Sequence, residues 1–188
     1  MTRCRSDRFD RCSGFRRLLS FVAVVCGLGS IAQAHDPSES WTNAALKSDS
    51  LKVEITMAPQ CAMLLLDPSG KQPGGITEEN FPDFRARLEA LGAQFYVVTS
   101  VRTPLKLRSI AARMTEEYDV VFTLVYPPPG AGRLYFHATF LTKLGVGFTG
   151  TIYLTDLAGK DLGWDQINAE TPNFEATVAA TPPAKKTP

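Results

Sequence analysis

The sequence predicts a mainly β protein, a β-sandwich of about seven to nine strands with one inserted helix over about residues 78–91. Residues 51–57 alternate strictly, placing Leu51, Val53, Ile55 and Met57 on one face, the period of a half-buried strand. Short β-branched and aromatic runs then recur to residue 178, each closed by a turn rich in Gly, Pro or Asp. One segment breaks this pattern: Phe81, Phe84, Leu88 and Leu91 recur at three- and four-residue spacing, which is helical.

The elements follow in order from these signals. Residues 67–75, Asp-Pro-Ser-Gly-Lys-Gln-Pro-Gly-Gly, form a loop on turn chemistry alone. Thr77 caps the helix, with Asn80 at its third position and Glu78 and Glu79 near the positive end of its dipole. Pro82 is late for a first turn and moves the start toward Phe81, and Gly92 stops the helix. Strands are expected over residues 94–100, 105–110 and 119–126, with a polar turn opening at Met114. Pro127-Pro128-Pro129-Gly130 ends the third of these, because proline cannot continue a ladder. Across 133–141, Leu134, Phe136, Ala138 and Phe140 share one face, and Tyr135, His137, Thr139 and Leu141 the other. Strands over 148–154, 162–167 and 174–178 complete the set, with Gly145–Gly150 as a hairpin link.

The N-terminal stretch sets the compartment. Arg16 and Arg17 flank an apolar run that ends in Ala32-Gln33-Ala34, the small-x-small pattern of a signal-peptidase site. Residues 1–34 are therefore expected as a signal peptide, 35–50 as a polar arm carrying Trp41, 51–178 as the sandwich, and 179–188 as a disordered tail. The expected product is exported, periplasmic or secreted, and begins at His35. No apolar run after residue 34 approaches the roughly 20 residues that span a bilayer, so no stable membrane insertion is expected after cleavage.

Composition narrows the function classes. The chain holds 20 basic and 19 acidic residues. Removing the six arginines and two aspartates of residues 1–34 leaves 14 and 17, a net charge of −3. That balance, with no basic cluster, argues against a dedicated nucleic-acid binder. Of the four cysteines, Cys4, Cys12 and Cys26 lie in the leader. Cys61 remains alone beside an apolar run and reads as a buried, inert thiol, so stability must come from an apolar core.

The order of these motifs resembles the exported N-terminal region of HupE/UreJ-like bacterial membrane proteins. The matching features are His35-Asp36-Pro37, one strand before an acidic helix ending Arg87-Leu88-Glu89-Ala90-Leu91-Gly92, and the closure at Pro127-Pro128-Pro129. Gly132-Arg133-Leu134 leading into Ala138-Thr139-Phe140-Leu141, then Thr155–Lys160 and Asn173-Phe174-Glu175-Ala176, extend the match over most of residues 35–178. The resemblance implies an immunoglobulin-like ectodomain. The family's membrane helices have no counterpart before Pro188, so its transport chemistry is not carried over.

Candidate chemistry is sparse. His35 at a free N-terminus offers an amine and a ring nitrogen to one metal, and His137 could add a second imidazole, so His35 and His137 are the candidate ligands of a copper site. Residues 67–79 have the loop-then-helix outline of a calcium loop, but Lys71 and Pro73 stand where oxygen ligands belong and Asn80 where a bidentate Glu should be, so no calcium is expected. No nucleophile elbow, zinc-protease helix or phosphate-cradling glycine loop occurs, and no catalytic residue is assigned. Phe95, Tyr96, Tyr126, Tyr135, Phe148, Tyr153 and Trp164 fall on strands or their ends; about half should pack inward, by strand alternation. Tyr135 and Tyr153, if they share an outer face, would form part of a partner-binding patch. The expected function is a non-enzymatic exported domain that binds a cell-envelope partner. The alternative is a periplasmic copper-binding protein using the mature N-terminal histidine.

Overall fold

The computed structural model describes residues 36–71 and 74–179. The expected signal peptide, His35 and the expected tail beyond residue 179 lie outside the described residues. Those described form a mainly β structure with two sheets, as the alternation predicts. The strands are β1 (Glu39–Leu46), β2 (Leu51–Met57), β3 (Tyr96–Ser100), β4 (Thr103–Pro104) and β5 (Ser109–Met114). They continue as β6 (Val120–Tyr126), β7 (Gly132–Ala138), β8 (Thr149–Thr155), β9 (Asp161–Asn168) and β10 (Asn173–Val178). One sheet runs β5-β6-β2-β1-β8-β9 and the other β10-β7-β3-β4.

The largest correction concerns the expected arm. Residues 39–46 are a central strand, paired antiparallel with β2 and parallel with β8. Its inward positions are Ser40, Thr42, Ala44 and Leu46, so the period of two is present but most of the inward side chains are small or polar. Tertiary partners make their burial tolerable. The Thr42 and Tyr96 hydroxyls hydrogen-bond at 2.9 Å across the two sheets, and Ser40 Oγ donates to the Thr149 carbonyl at 3.2 Å.

Among the described residues, three helices occur where one was expected. α1 (Pro59–Leu66) starts with proline in its first turn and buries Cys61, Ala62 and Leu65. α2 (Phe81–Gly92) is the expected helix, starting at Phe81. Thr77 and Asn80 bond each other just before it: Thr77 N–H to Asn80 Oδ1 at 2.8 Å and Asn80 N–H to Thr77 Oγ1 at 3.4 Å. Gly92 does more than end α2. A Cβ there would lie 2.7 Å from both Ile110 Cδ1 and Phe122 Cδ1, so glycine lets the helix settle on β5 and β6. α3 (Thr139–Leu144) replaces the end of the expected strand 133–141. Phe140 and Leu141 are both buried, and a helical turn lets these consecutive residues face one core, where strict strand alternation would part them.

The expected strand at 105–110 is a crossing between sheets. Leu105 N–H bonds the Val98 carbonyl of β3, whereas Arg108 N–H bonds the Val125 carbonyl of β6, each at 2.8 Å. Side chains of both sheets and the helices then fill one core. Phe95 meets Phe122 edge-on at 4.8 Å between centroids, and Tyr126 Oη donates to the Tyr96 carbonyl at 3.3 Å. Among the described residues, no helix is long and apolar enough to cross a membrane.

Candidate functional site

Strand alternation that buries Thr42, Ile152 and Leu154 must turn Trp41 and Tyr153 outward on the six-stranded sheet. Trp164 of β9 lies directly opposite Tyr153 in the register. The three rings form a row across β1, β8 and β9. Trp41 and Tyr153 are parallel within 2° at 6.2 Å between centroids, and Tyr153 and Trp164 lie at 24° and 6.0 Å. Parallel planes at that separation are offset, the arrangement the ring quadrupole favours, worth about 0.5–1.5 kcal/mol per pair. The Trp41 indole N–H is covered and has no acceptor among the described residues.

The end of the row is open. Trp164 is 60% exposed on edge strand β9, an unusual amount of bare indole for a protein surface. Its placement has a local cause. The β8–β9 register shifts between Leu154 and Thr155, immediately beside the Tyr153–Trp164 pair. Gly163 there has φ of +148° and donates its N–H to Asp161 Oδ1 at 2.7 Å. Such irregularities bend a strand and re-aim the next side chain. The surrounding surface is polar and self-neutralised: Asn43 lies in register with Tyr153, and Lys52 Nζ pairs with Glu54 Oε1 at 3.1 Å.

Tyr135 does not belong to this surface. It projects from β7 on the outside of the four-stranded sheet, so Tyr135 and Tyr153 occupy opposite faces and do not form one patch. Of the other singled-out aromatics, Phe95, Tyr96 and Tyr126 are buried and Phe148 is half-buried. Trp41 lay hidden as a site residue because its strand was itself hidden among polar residues.

His137 sits beside Tyr135's face, half-buried on β7, with Nδ1 2.8 Å from Asn173 Oδ1 on β10. That contact orients the ring and leaves Nε2 as its unengaged nitrogen. His35, the other expected ligand, lies outside the described residues. Among the described residues, no group of three His, Cys, Asp or Glu side chains could share a metal ion.

Cys61 is buried, as expected, and its Sγ donates to the Pro37 carbonyl at 2.6 Å, tying α1 to the start of β1. Burial, with the charge of Asp36 second, pushes the thiol up to about 11, so it stays protonated at neutral pH. A cavity of about 280 Å³ opens at one end of the sandwich, walled by Leu46, Pro129, Leu162 and Val178, with Lys47 and Asp156 also lining it. The proline run that ends β6 thus supplies a wall. Asp156 Oδ1 is occupied by the N–H groups of Ala158 and Lys160 at 2.8 and 2.9 Å, which hold the β8–β9 turn.

No protein-family model matches the chain, and no curated protein matches it in sequence.

Proposed function

We propose that this is an exported, non-enzymatic binding domain that recognises a partner in the cell envelope through the aromatic row Trp41–Tyr153–Trp164. The observation that carries the reading is Trp164, 60% exposed and stacked at the open end of that row. Tryptophan and tyrosine supply large apolar area with little side-chain freedom to lose, which is why they anchor interfaces. The two rings behind Trp164 pre-orient it, so little ordering remains to be done on binding.

The apolar leader ending Ala32-Gln33-Ala34 supports export, and the order of motifs similar to HupE/UreJ-like ectodomains supports an envelope setting. Surface recognition is the mechanism. A partner would cover Trp164, bury the remaining ring area and take hydrogen bonds from the polar rim around Asn43.

Site-specific photocrosslinking in living cells tests this. A photoreactive residue at position 43, exposed on β1 in register with Tyr153, should yield one discrete adduct with an envelope protein, lost when Trp164 is replaced by alanine. The same residue at position 135, on the opposite face, should not yield it. Equal adducts from both positions, or none from 43, overturn the reading. N-terminal sequencing of the exported product should begin at His35.

A further inference from the structure

The β3–β4 hairpin carries an unexpected pair of residues at its tip. Ser100 and Thr103 pair, leaving Val101 and Arg102 as a two-residue turn with φ of +46° and +72°. Positive φ at both central positions is the type I′ geometry, which favours Asn–Gly because a branched side chain is unfavourable there. Backbone outliers of this kind persist where surrounding structure enforces them, and they gather at functional sites. Here the enforcement is visible. Val101 N–H bonds the Arg133 carbonyl at 2.9 Å, Gly130 N–H bonds Ser100 Oγ at 3.0 Å, and Val101 Cγ2 rests over Gly132, where a Cβ would lie at 3.1 Å.

The pinned turn places Arg102 beside the outer face of β7. Val101, Arg102, Arg133 and Tyr135 line a recess of about 420 Å³. Arg133 is already oriented: its Nε lies 3.2 Å from Glu175 Oε1, and its Nη1 donates to Tyr135 Oη at 3.2 Å. Arg102 has no ion pair or hydrogen bond among the described residues. Two guanidinium groups against one carboxylate leave the recess with a net positive charge.

We propose that this recess binds a phosphate-class oxyanion, held between the Arg102 and Arg133 guanidinium groups. A carboxylate's two oxygens are satisfied by one guanidinium fork, whereas a tetrahedral phosphate offers acceptors in several directions and can engage two. The site lies on the opposite face from the aromatic row and does not rest on that row's function.

Titration of the purified protein with inorganic phosphate at low ionic strength tests it, read by NMR at the Arg102 and Arg133 side chains. Saturable shifts are expected with phosphate and not with chloride at equal ionic strength. Arg102→Ala should weaken binding at least fivefold. The double variant Val101→Asn/Arg102→Gly installs the relaxed turn; it should melt at a higher temperature and yet lose phosphate binding, which a purely structural role for the turn does not produce. Sedimentation with phosphatidylglycerol but not phosphatidylcholine vesicles, lost in Arg102→Ala, identifies a lipid headgroup as the source. Saturable phosphate shifts without sedimentation identify a soluble phosphate. The absence of both responses, or full phosphate binding by Arg102→Ala, overturns the proposal.

Discussion

The two outward faces of the sandwich share a core and an alternation, yet they present different chemistry. On the six-stranded sheet the outward row is aromatic, Trp41, Tyr153 and Trp164, and the nearby charges Lys52 and Glu54 cancel each other. On the four-stranded sheet the outward residues include Arg133, joined to Tyr135 by a hydrogen bond and to Glu175 by an ion pair, and His137, bonded to Asn173. Stacked rings are held by dispersion and desolvation, which salt leaves nearly untouched; an exposed ion pair is screened within about 10 Å at 0.1 M salt. The first face is suited to binding apolar area, the second to binding charge.

The broadest way to break this comparison is to remove what the faces share. Phe122 lies fully buried against Phe95 and under Gly92, so Phe122→Ala should destabilise the fold by about 3–5 kcal/mol and disturb both faces together. Urea unfolding measures it. A change confined to one face would show the two sheets to be energetically separate.

Thr42→Val probes the bond between the sheets. It keeps the shape of the side chain but leaves the buried Tyr96 hydroxyl without its partner, at a cost of about 1–3 kcal/mol. Tyr96→Phe in the same background should recover part of that loss, because the unpaired hydroxyl is then gone.

The shared core also sets the response to alkali. Burial holds the Tyr96 and Tyr126 phenols well above their ordinary value of 10.0 and Cys61 at about 11, against an ordinary 9.0. Raised folded values mean that the stabilisation is complete below the unfolded value and is lost as pH rises toward and past the folded one. The urea midpoint should therefore hold steady from neutral pH to about 9 and fall steeply above it, on ordinary thiol and phenol titration. Cys61→Ala should remove the onset of that fall near 9 and leave the phenol-driven portion above 10.

Trp164→Ala sharpens the contrast between faces. It removes one exposed stacking partner, so stability should drop by only about 0.5–1.5 kcal/mol while the envelope crosslink is lost. The smallest expected effect is Glu175→Gln, which removes an exposed ion pair and should leave the melting temperature unchanged. It should nevertheless tighten phosphate binding in the recess, because the competing carboxylate is gone.

Most of the sandwich was legible because large apolar residues mark it. β2, β6, β8 and β10 follow the alternation directly, and α2 follows Phe81 and Leu88. β1 was not legible, since Ser40 and Thr42 become inward-facing only when Thr149 and Tyr96 arrive from distant strands to receive their hydroxyls. The aromatic row was half legible. Tyr153 and Trp164 stood out as strand aromatics, but Trp41 could join them only once β1 was known to lie beside β8 in parallel register.

The sequence by itself determined the class of fold, the position of the main helix and the burial of Cys61, because these depend on local period and on hydrophobicity. Only the tertiary structure decided which strands became neighbours, which aromatic residues shared a face, and that Val101 and Arg102 would be held at positive φ against β7. Side-chain period reports inside from outside. It carries no record of which outside faces coincide, since that depends on pairings between residues up to about a hundred positions apart, such as Thr42 with Ile152.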